Sequence, residues 1–249
     1  FGGAAPRAIV LTHGHFDHVG TLRELAEAGW QAPVYAHALE LPYLTGRSHY
    51  PPADPTVGRG AVALLSWVFT NAPIDLGARV QPLARGGELP LLPGWRWLHT
   101  PGHTPGHIAL WREADRTLLA GDAIVTTRAE SLMASAFQPR VLQGPPAYFT
   151  PDWDAARESV RLLAGLAPET VASGHGQPMR GQDMRAALED LAEDFDVYVR
   201  PQAGRYVREP ARFGPEGEVA SLPPLGVGRV ALIGLGGLAL MGLLMRARK

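Results

Sequence analysis

Three histidines and an aspartate fall within six positions of Thr12-His13-Gly14-His15-Phe16-Asp17-His18-Val19-Gly20, directly after an apolar stretch over residues 8–12. The stretch is short and rich in Ile, Val and Leu, so it reads as a buried strand opening into a His-rich loop. This loop constrains the fold more than any other feature, because clustered imidazoles are costly to bury unless something engages their lone pairs. In an extended loop, alternation points His13 and His15 to one side and turns Asp17 and His18 to the other, which predicts two adjacent metal positions. The chain contains no cysteine. Disulfides, thiolate metal sites and thiol nucleophiles are therefore excluded, and any metal must be held by His and carboxylates.

Further ligands are then expected at the ends of later strands. His103 stands in Thr100-Pro101-Gly102-His103-Thr104-Pro105-Gly106-His107, Asp122 in Ala120-Gly121-Asp122 and His175 in Gly174-His175-Gly176. Glycines beside each of them let backbone approach a crowded centre. Residues 34–36, 95–99, 108–111, 118–120 and 170–172 read as strands, the last leading into His175, and residues 21–28 as a helix with Leu22, Leu25 and Ala26 on one face. Residues 42–75 read as a loop and short helix, and residues 122–153 as a long connection of the kind that usually carries function. Residues 154–166 read as a helix capped by Asp154, and residues 183–198 as one amphipathic helix. Strands alternating with helices in a 249-residue chain predict an α/β domain over residues 1–200.

With these ligands the chain resembles the metallo-β-lactamase superfamily, and within it the glyoxalase II-like hydrolases, over residues 9–195. The resemblance implies a four-layer αββα sandwich with a dinuclear site where two sheets meet. It implies His13, His15 and His103 as ligands of one metal, Asp17, His18 and His175 as ligands of the other, and Asp122 as the bridging carboxylate. The family has strands ahead of the His motif that this sequence does not show, so a domain shortened at its N-terminus is expected. Imidazole and carboxylate donors suit two Zn²⁺, with Fe and Mn also compatible. The reaction expected is attack of hydroxide, held between the metals, on an ester, thioester or lactone, with Asp17 orienting the hydroxide and shuttling its proton. The substrate is expected to be a small molecule.

His107 repeats the Pro-Gly-His pattern but is expected behind the ligands rather than among them. Tyr148 is expected as a packing aromatic whose hydroxyl could reach the pocket, and His37, His49 and His99 as structural or loop residues. An iron-dependent persulfide dioxygenase-like enzyme is the main alternative, for which His13, His103 and Asp122 would suffice. A phosphodiesterase and a non-catalytic metal-binding membrane protein are the others. With 23 basic and 24 acidic residues the chain has no electrostatic footprint for nucleic acid. Residues 201–224, rich in Pro and Gly, read as a linker, and Arg200, Arg205, Arg208 and Arg212 form a loose basic stretch that reads as a solvated face. Residues 225–245 carry one charge, Arg229, and are followed by Arg246, Arg248 and Lys249. At 1.5 Å per residue such a run reaches across ~30 Å of hydrocarbon, so a C-terminal transmembrane helix is expected, with the catalytic domain on the cytoplasmic side.

Overall fold

Side chains alternate across the faces of a strand, and here that alternation sorts the apolar residues into three clusters that separate four layers. The computed structural model describes residues 6–58 and 60–225. Strands β1 (Ile9–Val10), β2 (Val34–Ala36) and β3 (Val80–Pro82) form a parallel sheet in that order. Val34, Ala36 and Val80, with Leu11 just beyond β1, face Val19 of α1 (Phe16–Val19), Leu22 of α2 (Leu22–Glu27) and Leu44 of α3 (Leu41–Leu44). Val10 and Tyr35 point the other way, into a cluster with Ile108, Leu110, Trp95, Trp97 and Leu119 of the second sheet.

That second sheet has the order β4 (Trp95–His99), β5 (Ile108–Arg112), β6 (Thr117–Leu119), β7 (Thr170–Ala172), β8 (Met179–Arg180). Between β2 and β3 lies α4 (Ala61–Leu65), and between β6 and β7 lie α5 (Leu132–Phe137) and α6 (Trp153–Gly165). The outer face of the sheet presents Ala109, Trp111, Leu118 and Val171 to Val160 and Leu163 of α6 and to Met184 and Leu188 of α7 (Gly181–Glu193). The layers thus run helix, sheet, sheet, helix. Because β4 and β6 are both antiparallel to β5, and β7 is parallel to β6, the carboxyl ends of β4, β6 and β7 share one edge.

The expected strands are all present within a residue or two. Differences lie at helix ends and in the C-terminal stretch. Asp152, not Asp154, caps α6, because its carboxylate accepts from the Ala155 N–H at 3.0 Å; Asp154 instead pairs with Arg157 and Arg200. The helix expected over residues 183–198 breaks at Asp194 (φ −104°, ψ 34°), and α8 (Phe195–Tyr198) resumes as a separate turn with Phe195 buried. Residues 201–224 are not a free linker. They include α9 (Arg205–Arg208) and a hairpin of β9 (Arg212–Phe213) and β10 (Val219–Ser221). The Tyr206 hydroxyl donates to the Pro52 carbonyl at 2.8 Å, and the Ala211 N–H to that of Pro151 at 3.0 Å. Buried Tyr206 and Ala211 explain why Pro and Gly content alone misjudged the segment.

The apolar run expected to span a membrane lies, from residue 226 on, outside the described residues. Among the described residues no helix is long and apolar enough to cross one.

Candidate metal centre

Five of the seven candidate ligands stand beyond the carboxyl end of a strand, and Asp17 and His18 stand on α1. His13 and His15 follow β1, His103 follows β4, Asp122 follows β6 and His175 follows β7. The Ile108 N–H at the start of β5 donates to the Thr12 carbonyl at 2.9 Å, which ties the His motif to the shared edge of the second sheet. The Gly174 N–H donates to the Gly121 carbonyl at 2.9 Å and brings the His175 loop onto the Asp122 loop. Extended backbone holds as far as His15 (φ −62°, ψ 150°), where α1 begins. Asp17 and His18 are therefore turned by a helical turn and not by the strand-like alternation expected for them.

Three groups of donor atoms result. Those of His13, His15 and His103 lie within 4.8 Å of one another, as do those of Asp17, His18 and His175, and those of His13, His18 and Asp122. Asp122 sits between the outer two groups. Its Oδ2 is 3.1 Å from His175 Nε2, 3.5 Å from His18 Nε2 and 3.6 Å from His103 Nε2. Asp17 Oδ2 lies 3.2 Å from His175 Nε2. His15 Nδ1 and His103 Nε2 are 2.9 Å apart. Space at the centre is so tight that a Cβ on Gly174 would come 2.1 Å from Asp122 Oδ1.

Electrostatics divides the cluster. Burial holds His13 and His103 well below the ordinary imidazole value and brings His15 to about 4, so these three are neutral, the form whose lone pair binds metal. His175 is pushed up to about 10 by its hydrogen bonds to Asp122 and Asp17. Burial opposes ionisation of Asp122, yet the hydrogen bond from His175 and the positive charge of the imidazoles around it carry its carboxyl well below the usual range. Two carboxylates thus gather positive charge, and a divalent cation competes with the protons of His175 and His18 for the same oxygens. His13 Nε2, His18 Nε2, His103 Nδ1 and Asp122 Oδ1 are buried without a hydrogen-bond partner. Orphaned nitrogen and oxygen atoms of the types that metals prefer, on residues grouped within 4.8 Å of one another, fit a metal centre.

His107 is not free to ligate. Its Nε2 accepts from the Asp122 N–H at 2.9 Å and its Nδ1 meets Thr100 Oγ1 at 2.8 Å, while burial lowers it to about 3. It therefore orients the backbone of Asp122 as a neutral ring. His107→Ala is expected to lower kcat/KM by about 10- to 100-fold, the range for partners behind the ligands, and to retain bound metal; equal metal loss in His107→Ala and Asp122→Ala would place it among the ligands. His37 and His99 stack at 4.3 Å away from the cluster, and His49 is an exposed loop residue.

One participant escaped the sequence analysis. Glu40, wholly buried, receives the N–H of Gly14 at 3.0 Å, the N–H of Gly106 at 2.9 Å, the Thr104 hydroxyl at 2.7 Å and the Tyr50 hydroxyl. It joins the loop carrying His13 and His15 to the loop carrying His103. The available signal was a carboxylate between Leu39 and Leu41 in an otherwise apolar run, since unpaired acids are rarely buried.

Residues 1–175 match the family model of the metallo-beta-lactamase superfamily. The chain belongs to that superfamily. It is 50% identical over 186 residues to the probable metallo-hydrolase YflN of Bacillus subtilis, an alignment covering 75% of this chain and 70% of that protein. It is 30% identical over 165 residues to a hydroxyacylglutathione hydrolase of Bdellovibrio bacteriovorus, covering 66% of this chain and 46% of that one. Among solved structures, an archaeal metallo-beta-lactamase superfamily protein from Sulfolobus tokodaii matches with a TM-score of 0.51 at 23% identity, over 80% of this chain and 71% of that chain, and shows the shared fold.

Proposed function

We propose that this superfamily member is a metallo-hydrolase that cleaves an ester, thioester or lactone with two metal ions. The observation that carries the reading is the placement of Asp122 between two groups of ligand-type side chains. His13, His15 and His103 would hold one ion, Asp17, His18 and His175 the other, and Asp122 both. Seven donors exceed what one tetrahedral ion needs. When bound, the metals supply Lewis acidity and make hydroxide available near neutral pH. Asp17, with its side chain 34% exposed at the open side of the cluster, is placed to orient the attacking water and receive its proton. His107 fixes the Asp122 backbone throughout. Water adds across the acyl–oxygen or acyl–sulfur bond, giving a carboxylate and an alcohol or thiol. Support for the acyl class comes from the relative named as a hydroxyacylglutathione hydrolase.

The test joins elemental analysis to a hydrolysis screen. Protein purified without added chelator and titrated with Zn²⁺ should approach two equivalents and hydrolyse esters, thioesters or lactones in preference to phosphodiesters. A plateau at one equivalent with iron preferred, and oxygen consumption on a persulfide, would replace this reading by the mononuclear dioxygenase.

A further inference from the structure

Aromatic rings adjoin the cluster and lead from it toward solvent. The Phe149 ring lies 4.7 Å from that of His15, and Tyr148 packs beside Phe149 at 4.9 Å. Phe69 is 5.8 Å from Tyr148 and 6.0 Å from Phe149. Phe16, between His15 and Asp17 in sequence, is 6.0 Å from Phe69 and 6.4 Å from Phe149. Exposure rises along this path. Phe149 and Tyr148 are buried, Phe69 is half-buried, and Phe16 is 36% exposed. The rings come from three separate segments that the fold brings to a single wall. Asp17, next to Phe16 in sequence, and His175 are the exposed polar groups of the cluster, each with a side chain 34% exposed.

Core packing accounts for only part of this wall. Phe149 and Tyr148 belong to the cluster beneath α6, with Phe69 packed against it, whereas Phe16 lies outside every core cluster and leaves apolar area in water. An apolar surface that begins at a ligand-type histidine and opens outward is the usual form of a substrate subsite. Resting on the hydrolase reading above, we infer that the substrate carries an apolar chain of several carbons beside its scissile group, held on Phe16, Phe69, Tyr148 and Phe149. The polar, reacting end then lies at Asp17, His175 and Asp122.

The experiment uses the full chain loaded with Zn²⁺ and two series of esters, 4-nitrophenyl alkanoates from acetate to octanoate and alkyl acetates from methyl to octyl. Fully buried methylenes contribute about 0.8 kcal/mol each, about fourfold. A wall open on one side should give about twofold per methylene in kcat/KM in the series whose chain it holds. Phe69→Ala should flatten that slope, with the shortest ester changed less than about threefold and metal content unchanged. Should Phe69→Ala fail to fold, Phe16→Ala removes a ring of the same wall that lies outside every core cluster and should lower the ratio of the octyl or octanoyl rate to that of the shortest ester. Binding is read separately: octanoate should quench tryptophan fluorescence at least about tenfold more tightly than butanoate. Flat rates in both series, or equal affinity for octanoate and butanoate, would overturn the inference. Absence of all hydrolysis with octanoate still preferred would instead remove the hydrolase reading and leave the apolar subsite standing.

Discussion

Asp122→Ala is expected to abolish hydrolysis and deplete both metals while the domain stays folded. Asp122 Oδ2 lies within 3.6 Å of donor nitrogens from both His103 and His175, so its removal opens both groups together. Loss of kcat/KM should exceed about 1,000-fold, beyond the 10- to 100-fold expected of partners behind the ligands. The apolar layers on either side of the sheets do not include Asp122, so circular dichroism should be unchanged. In chelator-treated protein the stability difference between wild type and variant depends on pH. His175 is raised to about 10, so its contribution is complete below its unfolded value near 6.5 and fades as pH climbs toward 10. Asp122 is depressed, so its contribution is complete above about 4 and fades on further acidification. The gap in Tm should therefore be widest between about pH 4 and 6.5. A variant keeping a tenth of wild-type turnover would show that Asp122 does not join the two groups.

The loops that carry the candidate ligands were legible because their chemistry is local. Thr12 to Gly20 and the Pro-Gly-His repeat announce themselves by residue type, and the apolar runs beside them by composition and length. Alternation read correctly up to His15, and then failed because α1 winds Asp17 and His18 round a turn within four residues, too short for periodicity to register. The C-terminal stretch misled for a related reason. Pro and Gly mark turns, but turns can be packed as well as free, and only the burial of Tyr206 and the hydrogen bonds to Pro52 and Pro151 distinguish the two. Glu40 could not be placed at all from sequence. Its partners are 26 residues before it and 10, 64 and 66 after it, and nothing in its own neighbourhood encodes the approach of the two distant loops.

Glu40→Gln is expected to weaken metal binding by about 10- to 100-fold, although Glu40 is itself no ligand. Each oxygen of the carboxylate serves one ligand loop: Oε2 receives the Gly14 N–H, Oε1 the Gly106 N–H and the Thr104 hydroxyl. Glutamine keeps the shape but offers one oxygen and one NH2: with the NH2 toward Gly106 that backbone N–H faces a donor, and with the NH2 toward Gly14, whose N–H also donates to the Tyr50 hydroxyl at 3.0 Å, the buried Tyr50 O–H loses its acceptor. An unsatisfied buried donor costs about 1–3 kcal/mol, and rotating the amide moves the conflict from one loop to the other without removing it. Nor can the loops adjust by withdrawing a side chain, since both contacts are made by glycines; a Cβ at Gly106 would lie 2.8 Å from Glu40 Cγ. The strain falls on His15 and His103, whose facing nitrogens are 2.9 Å apart. In Co²⁺-substituted protein the visible spectrum should change, chelator competition should show the weaker site, and Glu40→Asp should not restore it because the shorter side chain cannot reach both loops. If Glu40→Gln lowers Tm but leaves Co²⁺ spectrum and metal affinity as in the wild type, Glu40 stabilises the fold without setting the geometry of the histidines.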